Sequence, residues 1–530
     1  MAPPRFPLTT VASGRVADVD MAGRIELAGA AWSASWWVAE GDRWRRPEAE
    51  AAVRSRLVDE AAVVETSMRV GGGDVRSTAR AFVPMGSAHP AVGVDIANDT
   101  PIPVAVALVV GPVRHARLDG DTLFLDGAPA ARFARRPAHW AGASSPHELE
   151  SNVTPTAEPH GELHVGPGGW VVVVSPLPHG VSLQWVVGRD LGVGSYPVPP
   201  TPEQVASGWM AHADRGARTG LADPNEAEAL RRARMVLAGL RPDEVMPLDV
   251  VAEVGRAAIR LGWADHATAA AGLLADAQDG NGAIGDAATT LAAIDVFAGR
   301  WRLGATPEEM EPSVLPLASA LSALVGRRRR PAVVSLPGAA AVLARAGAAC
   351  SAIDQPDLAG AFAGASASSV DPGVEANGPG PGPWGLAHLA DGSVDVAAAA
   401  REVTRLLDGL VGDGGTTVDL CRGWRADQVG VGIEVLGVPT AAGRVSFAIR
   451  WHGRRPALLW EVEPWPGRSD DLHLTATAID PDWSATALEG EALLAEPAAI
   501  ASMTSILGTV VDVLGPPDVI DGPGEGTSLS

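Results

Sequence analysis

The chain has 530 residues, with 63 acidic against 41 basic side chains and a net charge of −22. Every basic residue is arginine, so a Gly-Lys-Ser/Thr phosphate loop and lysine Schiff-base chemistry are both excluded. The negative balance argues against nucleic acid, whose phosphate backbone is bound by a cationic face.

From about Arg24 to Trp185 the hydrophobic period is two. Val63–Val70 and Val75–Val83 alternate around Gly71-Gly72-Gly73-Asp74, the pattern of a β-hairpin. Val92–Ile96, Val104–Val110, Leu123–Leu125, Trp170–Val174 and Ser182–Val187 add short strands between Gly, Pro and Asp. Such spacing predicts a large antiparallel sandwich over 1–222. Near Asp223 the period changes. Asp223-Pro224-Asn225-Glu226 is a helix start, and helices are predicted at about 224–239, 248–262, 265–277, 287–302, 307–326, 332–348 and 394–411. Short connections favour antiparallel helical hairpins over 223–412. A Gly/Pro-rich loop at 366–392 interrupts them. Its Gly380–Gly385 matches Gly-x-Gly-x-x-Gly, but no strand leads into it and its prolines remove the donors a phosphate needs. The cluster Arg327–Arg330 before Pro331 reads as a solvated helix end.

From Thr416 the period of two returns. Val445, Phe447, Ile449 and Trp451 share one strand face, and Gly453-Arg454-Arg455-Pro456 turns the chain into Ala457–Val462. A smaller β-domain is expected over 413–515 and a disordered tail over 516–530. The fold class is thus multidomain α+β.

Cys350 and Cys421 lie far apart and outside any Cys-x-x-Cys, against a disulfide framework or cysteine-bound zinc. Met1–Met21 lacks an apolar leader core, and the run Ile102–Val110 contains Pro103 and is too short for a bilayer. A cytoplasmic address with no membrane partner is expected. Neither Gly-x-Ser-x-Gly nor His-Glu-x-x-His occurs. His160 and His164 share one side of a strand but have no third ligand nearby, so no metal and no cofactor are expected.

Carboxylates remain as candidate chemistry. Glycosidic cleavage needs one carboxylic acid and one carboxylate across a sugar, about 5 Å apart in retaining enzymes and roughly 6.5–9.5 Å in inverting ones. The loop Asp276–Asp286 between two helices offers Asp279 and Asp286. Each also has a structural role: Asp279 opens an Asp-Gly turn and Asp286 is an N-cap. Glu309, in Thr306-Pro307-Glu308-Glu309, completes a capping box. Tryptophan outnumbers tyrosine 16 to 1, and sugar C–H faces stack on aromatic rings. Trp36, Trp37 and Trp44 near the N-terminus and Trp263, Trp301 and Trp384 in the helical part are candidate platforms, or core residues.

The order of parts, with Gln278-Asp279-Gly280-Asn281-Gly282-Ala283-Ile284-Gly285-Asp286-Ala287, resembles the six-hairpin glycosidase superfamily, and specifically bacterial glucoamylase-type glycoside hydrolases. That family's loop reads roughly Asp-x-x-Gly-Glu-x-x-Asp-Ala. Asp279, Gly282, Asp286 and Ala287 fit it, while Ala283 stands where the family has glutamate. The family's Trp-Glu pair is met only by Trp460-Glu461, in the C-terminal hairpin. The resemblance implies a β-supersandwich before an α/α toroid, here incomplete. It implies an oligosaccharide or glycoconjugate partner, Asp279 and Asp286 as rim carboxylates, and Trp263, Trp301 and Trp384 as stacking residues. A non-catalytic glycan- or protein-binding member of the same architecture is the alternative. The Gln-x-x-Asp-Gly-like loop of toroidal terpene cyclases is a lesser likeness, since no Asp-rich ionisation motif is present.

Overall fold

The computed structural model describes residues 5–497 apart from 12–13, 42, 59–61, 88, 153–159, 193, 222–223, 241, 243–245, 327–335, 370–394, 416, 467 and 469–471. The architecture is α+β: one large antiparallel sheet, a run of helices, and two smaller sheets.

The large sheet has 15 strands between Arg5 and Gly188. Its pivot is the long strand Val104–Asp119. One half pairs with Ser33–Glu40, the other with Thr122–Leu125, and nearly its whole length with Gly161–Leu177. The sheet folds over on itself, so Leu8, Val16 and Val19 meet Val64, Met68, Val75 and Ile96 in one core around Trp36 and Trp185. The hairpin read from sequence forms between Val63–Val70 and Gly73–Phe82. Its turn is tighter than the glycine run suggests. Val70 pairs with Gly73, leaving Gly71 and Gly72 alone at φ 53° and 82°, as a two-residue hairpin turn requires.

Ten helices are described. They are α1 (Pro146–Asn152), α2 (Pro202–Ala213), α3 (Pro224–Ala238), α4 (Leu248–Leu261), α5 (Ala264–Asp276), α6 (Ala287–Gly299), α7 (Pro307–Val325), α8 (Ala339–Ala352), α9 (Pro356–Ala367) and α10 (Val396–Leu410). Helix α6 is the axis of the series. It packs against α4, α5, α7 and α8 and is buried on every side, which suits its near-continuous apolar sequence. Helices α1, α2 and α9 were not anticipated, and α8 begins later than 332. Among the sequence features, Asp223, Arg327–Arg330, Pro331, Gly380–Gly385, Trp384 and the tail 516–530 lie outside the described residues.

The C-terminal strands form a five-stranded and a four-stranded sheet. The predicted hairpin is Gly443–His452 with Arg455–Pro464, and Val445, Phe447 and Ile449 point into the core. The four-stranded sheet contains one parallel pair, Thr417–Leu420 with His473–Ala476. Strand Arg218–Gly220, which precedes the helical run in sequence, pairs with Ile433–Pro439. Helices and C-terminal sheets share one continuous hydrophobic core. Among the described residues no helix is long and apolar enough to cross a membrane.

Candidate functional site

The α5–α6 loop is held by its own side chains. Asp279 Oδ1 accepts from the backbone N–H of Asn281 (2.8 Å) and Ala283 (2.9 Å). Gln278 donates to the carbonyls of Gly282 and Pro316, tying the loop to α7. Asp286 is the N-cap of α6 and accepts from Thr289 N at 2.8 Å. That hydrogen bond lowers the proton affinity of Asp286 below the usual carboxylate range. Both aspartates are exposed, and each has an oxygen engaged by backbone donors within the loop. A carboxylate whose proton affinity is lowered, as that of Asp286 is, suits a base or nucleophile better than a proton donor. Thr306 and Glu309 form the capping box at the start of α7.

The tryptophans divide by burial. Trp36, Trp37 and Trp263 are 2%, 1% and 3% exposed and belong to the cores. Trp263 packs against His266, with ring centroids 5.3 Å apart. Trp44 lies 6.4 Å from Trp37. Trp301 is half-buried, and one face is covered by the Arg468 guanidinium at 3.1 Å. His164 meets His115 edge-on across paired strands at 4.0 Å.

A pocket of about 330 Å³ opens where α3 and α10 meet the 421–433 segment. Trp424 forms one wall, with Trp451 against it at 6.3 Å and an interplanar angle of 31°. Glu226, Arg405, Arg425, Asp427 and Gln428 supply planar polar groups. Local geometry explains their placing. Gly423 N donates to Gly409 O at 2.7 Å, and a Cβ on Gly423 would lie 3.1 Å from Gly409 Cα, so this turn seats directly on the end of α10. Cys421 supports the turn in a left-handed conformation (φ 54°), its thiol buried and held protonated by burial and by Asp419. Arg425 and Asp427 are paired through two hydrogen bonds of 3.0 and 2.7 Å, which hold Asp427 ionised. Arg405 pairs in the same fashion with Glu402. The indole Nε1 of Trp424 is buried without a partner among the described residues. Sequence reading missed this site because Glu226, Arg405 and Trp424 are far apart in the chain. The usable signal was the run Trp424-Arg425-Ala426-Asp427-Gln428, a tryptophan inside a polar connection between strands.

A second constellation lies in the core. Asp295, the one charged residue of α6, accepts from Arg256 Nε at 3.0 Å, Arg345 Nη2 at 2.9 Å and Arg302 Nη2 at 3.3 Å. Burial alone would raise its proton affinity, but Arg345, Arg302 and Arg256 overrule that and hold the carboxyl far below its usual range. Arg302 also reaches Asp413 Oδ2 at 3.2 Å, extending the network into the C-terminal strands. Among the described residues no group of three or more His, Cys, Asp or Glu side chains is arranged to hold a metal.

No family model matches the sequence, and no curated protein matches it. Among solved structures the chain is similar to a bacterial glucoamylase complexed with acarbose, at 11% identity and a TM-score of 0.42, over 63% of this chain and 60% of the glucoamylase. It is also similar to a family GH92 α-mannosidase from Bacteroides thetaiotaomicron in complex with mannoimidazole, at 11% identity and a TM-score of 0.29, over 62% and 50% of the two chains. An inverting family GH92 mannosidase from the same bacterium matches at 9% identity and a TM-score of 0.27, over 64% and 54%. In each case the match spans less than two thirds of the known enzyme's own chain. The glycosidase resemblance read from the sequence is met among solved structures, but at these TM-scores it carries no argument about the chemistry of this chain.

Proposed function

We propose that this protein is carbohydrate-associated and binds an oligosaccharide or glycoconjugate without cleaving it, with the Trp424 pocket as the binding site. The observation that carries this reading is the composition of that pocket: an aromatic wall beside paired arginine and carboxylate groups and a glutamine, in a volume of about 330 Å³. Sugars are held by such a combination, an aromatic surface for the C–H face and planar polar groups for hydroxyls. The carboxylates whose proton affinity departs from the ordinary value, Asp427 and Asp286 among them, are displaced downward, whereas glycosidic cleavage calls for a carboxyl held protonated. In this reading the parts are a β-supersandwich (1–222), an incomplete toroid-like set of helical hairpins (223–412) and a small β-domain (413–515). The two buried free thiols fit a reducing, cytoplasmic compartment.

The competing reading is hydrolysis by Asp279 and Asp286, favoured by their exposure on one loop. Titration of tryptophan fluorescence with maltotriose and with α-mannobiose tests the first. Saturable binding is expected, weakened about tenfold or more in Trp424→Ala, in line with ~0.5–1.5 kcal/mol of stacking plus lost buried area. Unchanged binding in that variant removes the site. Aryl α-glucosides and α-mannosides test the second: wild type, Asp279→Asn and Asp286→Asn are all expected at background. Wild-type turnover lost in either variant would establish the catalytic reading instead.

A further inference from the structure

A separate pocket, also about 330 Å³, lies where the end of α6 and α8 meet strand Val411–Asp413 and the loop that follows Pro464. Its lining is unusual in charge. Arg302, Arg345 and Arg468 face it against one carboxylate, Asp413. That carboxylate is already committed. Asp413 Oδ2 is ion-paired with Arg302 Nε and accepts from Ala441 N, and Oδ1 accepts from Gly415 N. Asp295 is shared among three arginines and has nothing left to offer.

The arginines, in contrast, keep donors in hand. Arg345 uses Nε and Nη2 on Asp295, and Arg302 uses Nε on Asp413 and Nη2 on Asp295. The Nη1 of each makes no hydrogen bond to a described residue. Arg302 is 6% exposed, so little of its side chain reaches solvent. Arg468 stacks on Trp301 and donates to the carbonyls of Trp301, Ala305 and Ala441, with no carboxylate partner among the described residues. Ala298, Ala348, Ala349 and Ala352 form much of the remaining wall, leaving the space open between the guanidinium groups.

From this geometry we infer that the pocket binds a tetrahedral oxyanion, a phosphate or sulfate group, seated between Arg302 and Arg345 with Arg468 as the outer cation. Arginine forks match such groups in geometry, and a partly buried cation without a carboxylate partner among the described residues, as Arg468 is, favours an incoming anion. The proton affinities of two of the three agree: burial, then Arg345, lowers that of Arg302, and burial lowers Arg468 to about 10, while that of Arg345 is raised, its burial outweighed by Asp295 and Asp408. An anion here would cross-link α8 to the C-terminal strands. The inference is independent of saccharide binding at Trp424.

The test is calorimetry and thermal melting of the full chain with inorganic phosphate, sulfate, glucose 6-phosphate and glucose, against chloride at matched ionic strength. Saturable heat and a raised Tm are expected with phosphate and sulfate but not with glucose. Tighter binding of glucose 6-phosphate than of phosphate identifies a phosphorylated metabolite as the natural source; equal or weaker binding identifies the free ion. Arg345→Gln removes charge from the Asp295 network, so the decisive variant is Ala348→Glu. Ala348 is exposed on α8 one turn after Arg345, and a carboxylate there occupies the guanidinium groups without touching Asp295. It is expected to weaken phosphate binding about tenfold or more. Absence of a saturable response beyond the chloride control, or equal binding by Ala348→Glu, overturns the inference.

Discussion

Gly282 and Gly262 both adopt left-handed backbone, at φ 87° and 79°, yet they meet very different surroundings. A Cβ on Gly262, the residue ending α4, would find only Pro439 Cγ at 3.9 Å, whereas one on Gly282 would sit 2.2 Å from the carbonyl oxygen of Ser319 on α7. Gly262→Ala is therefore expected to cost about 1 kcal/mol, from backbone conformation alone. Gly282→Ala adds a backbone clash and is expected to cost about 2–4 kcal/mol. Urea denaturation of the two variants measures both, and equal losses would show that the loop lifts freely from α7. Asp295 sets the upper end of the residue scale. Removing its charge strands three buried or half-buried cations, so Asp295→Asn is expected to cost about 3–5 kcal/mol. The carboxyl is held ionised far below the value of an unfolded aspartate. Its contribution is therefore full above that ordinary value and fades only in strong acid, as pH falls through the folded value.

At the scale of elements, α2 bridges the large sheet and the helical series, touching strands Val63–Val70 and Gly73–Phe82 on one side and α3 on the other. His212, in its last turn, is 9% exposed and lies between Trp209 and His266 of α5, with Arg215 Nη2 2.9 Å from its Nε2. Burial, then Arg215 and His266, lowers its proton affinity, with Asp265 opposing. Folding therefore disfavours the protonated ring. This contribution is complete above the ordinary histidine value of 6.5 and is lost as pH falls below it, toward the lower folded value. Thermal melts between about pH 7.5 and 5 should show a decline in Tm that is shallower in His212→Gln. An identical slope in both proteins would place the pH response elsewhere.

The start of α2 also shows what the sequence signals could and could not yield. Thr201-Pro202-Glu203-Gln204 forms a capping box of the same kind as Thr306-Pro307-Glu308-Glu309, which did mark α7. The signal was present, but Gly208 and a weakly apolar face hid the helix behind it. Helix α9 carries no side-chain cap and contains Gly360 and Gly364, so propensity opposes it. It forms because it packs on α8, where Gly347 lets Phe362 and the Ala359 carbonyl come close. Hairpins, by contrast, were legible because alternation and turn chemistry are both local.

Over the whole molecule the candidate sites were the least legible part. The Trp424 pocket draws on α3, α10 and the 421–433 segment, and the arginine pocket on α6, α8 and three separate stretches of the C-terminal strands. No spacing rule joins such distant positions; only the tertiary fold does. What could be read was the single acidic residue in an otherwise apolar helix, Asp295, which demanded buried cationic partners. In the α5–α6 loop the turn chemistry of Gln-Asp-Gly-Asn-Gly was legible locally: Asp279 folds the loop and Gln278 anchors it to α7.

The pairing of Arg218–Gly220 with Ile433–Pro439 has a consequence for the order of assembly. As the chain leaves the ribosome, residue 219 must wait for residue 435, with every central helix between them already made. Closing so long a loop is slow, so this edge should lock among the last steps of folding. Cutting the chain after residue 412 would strand that short segment without its neighbour, and a fragment starting there would show a bare sheet margin prone to self-association.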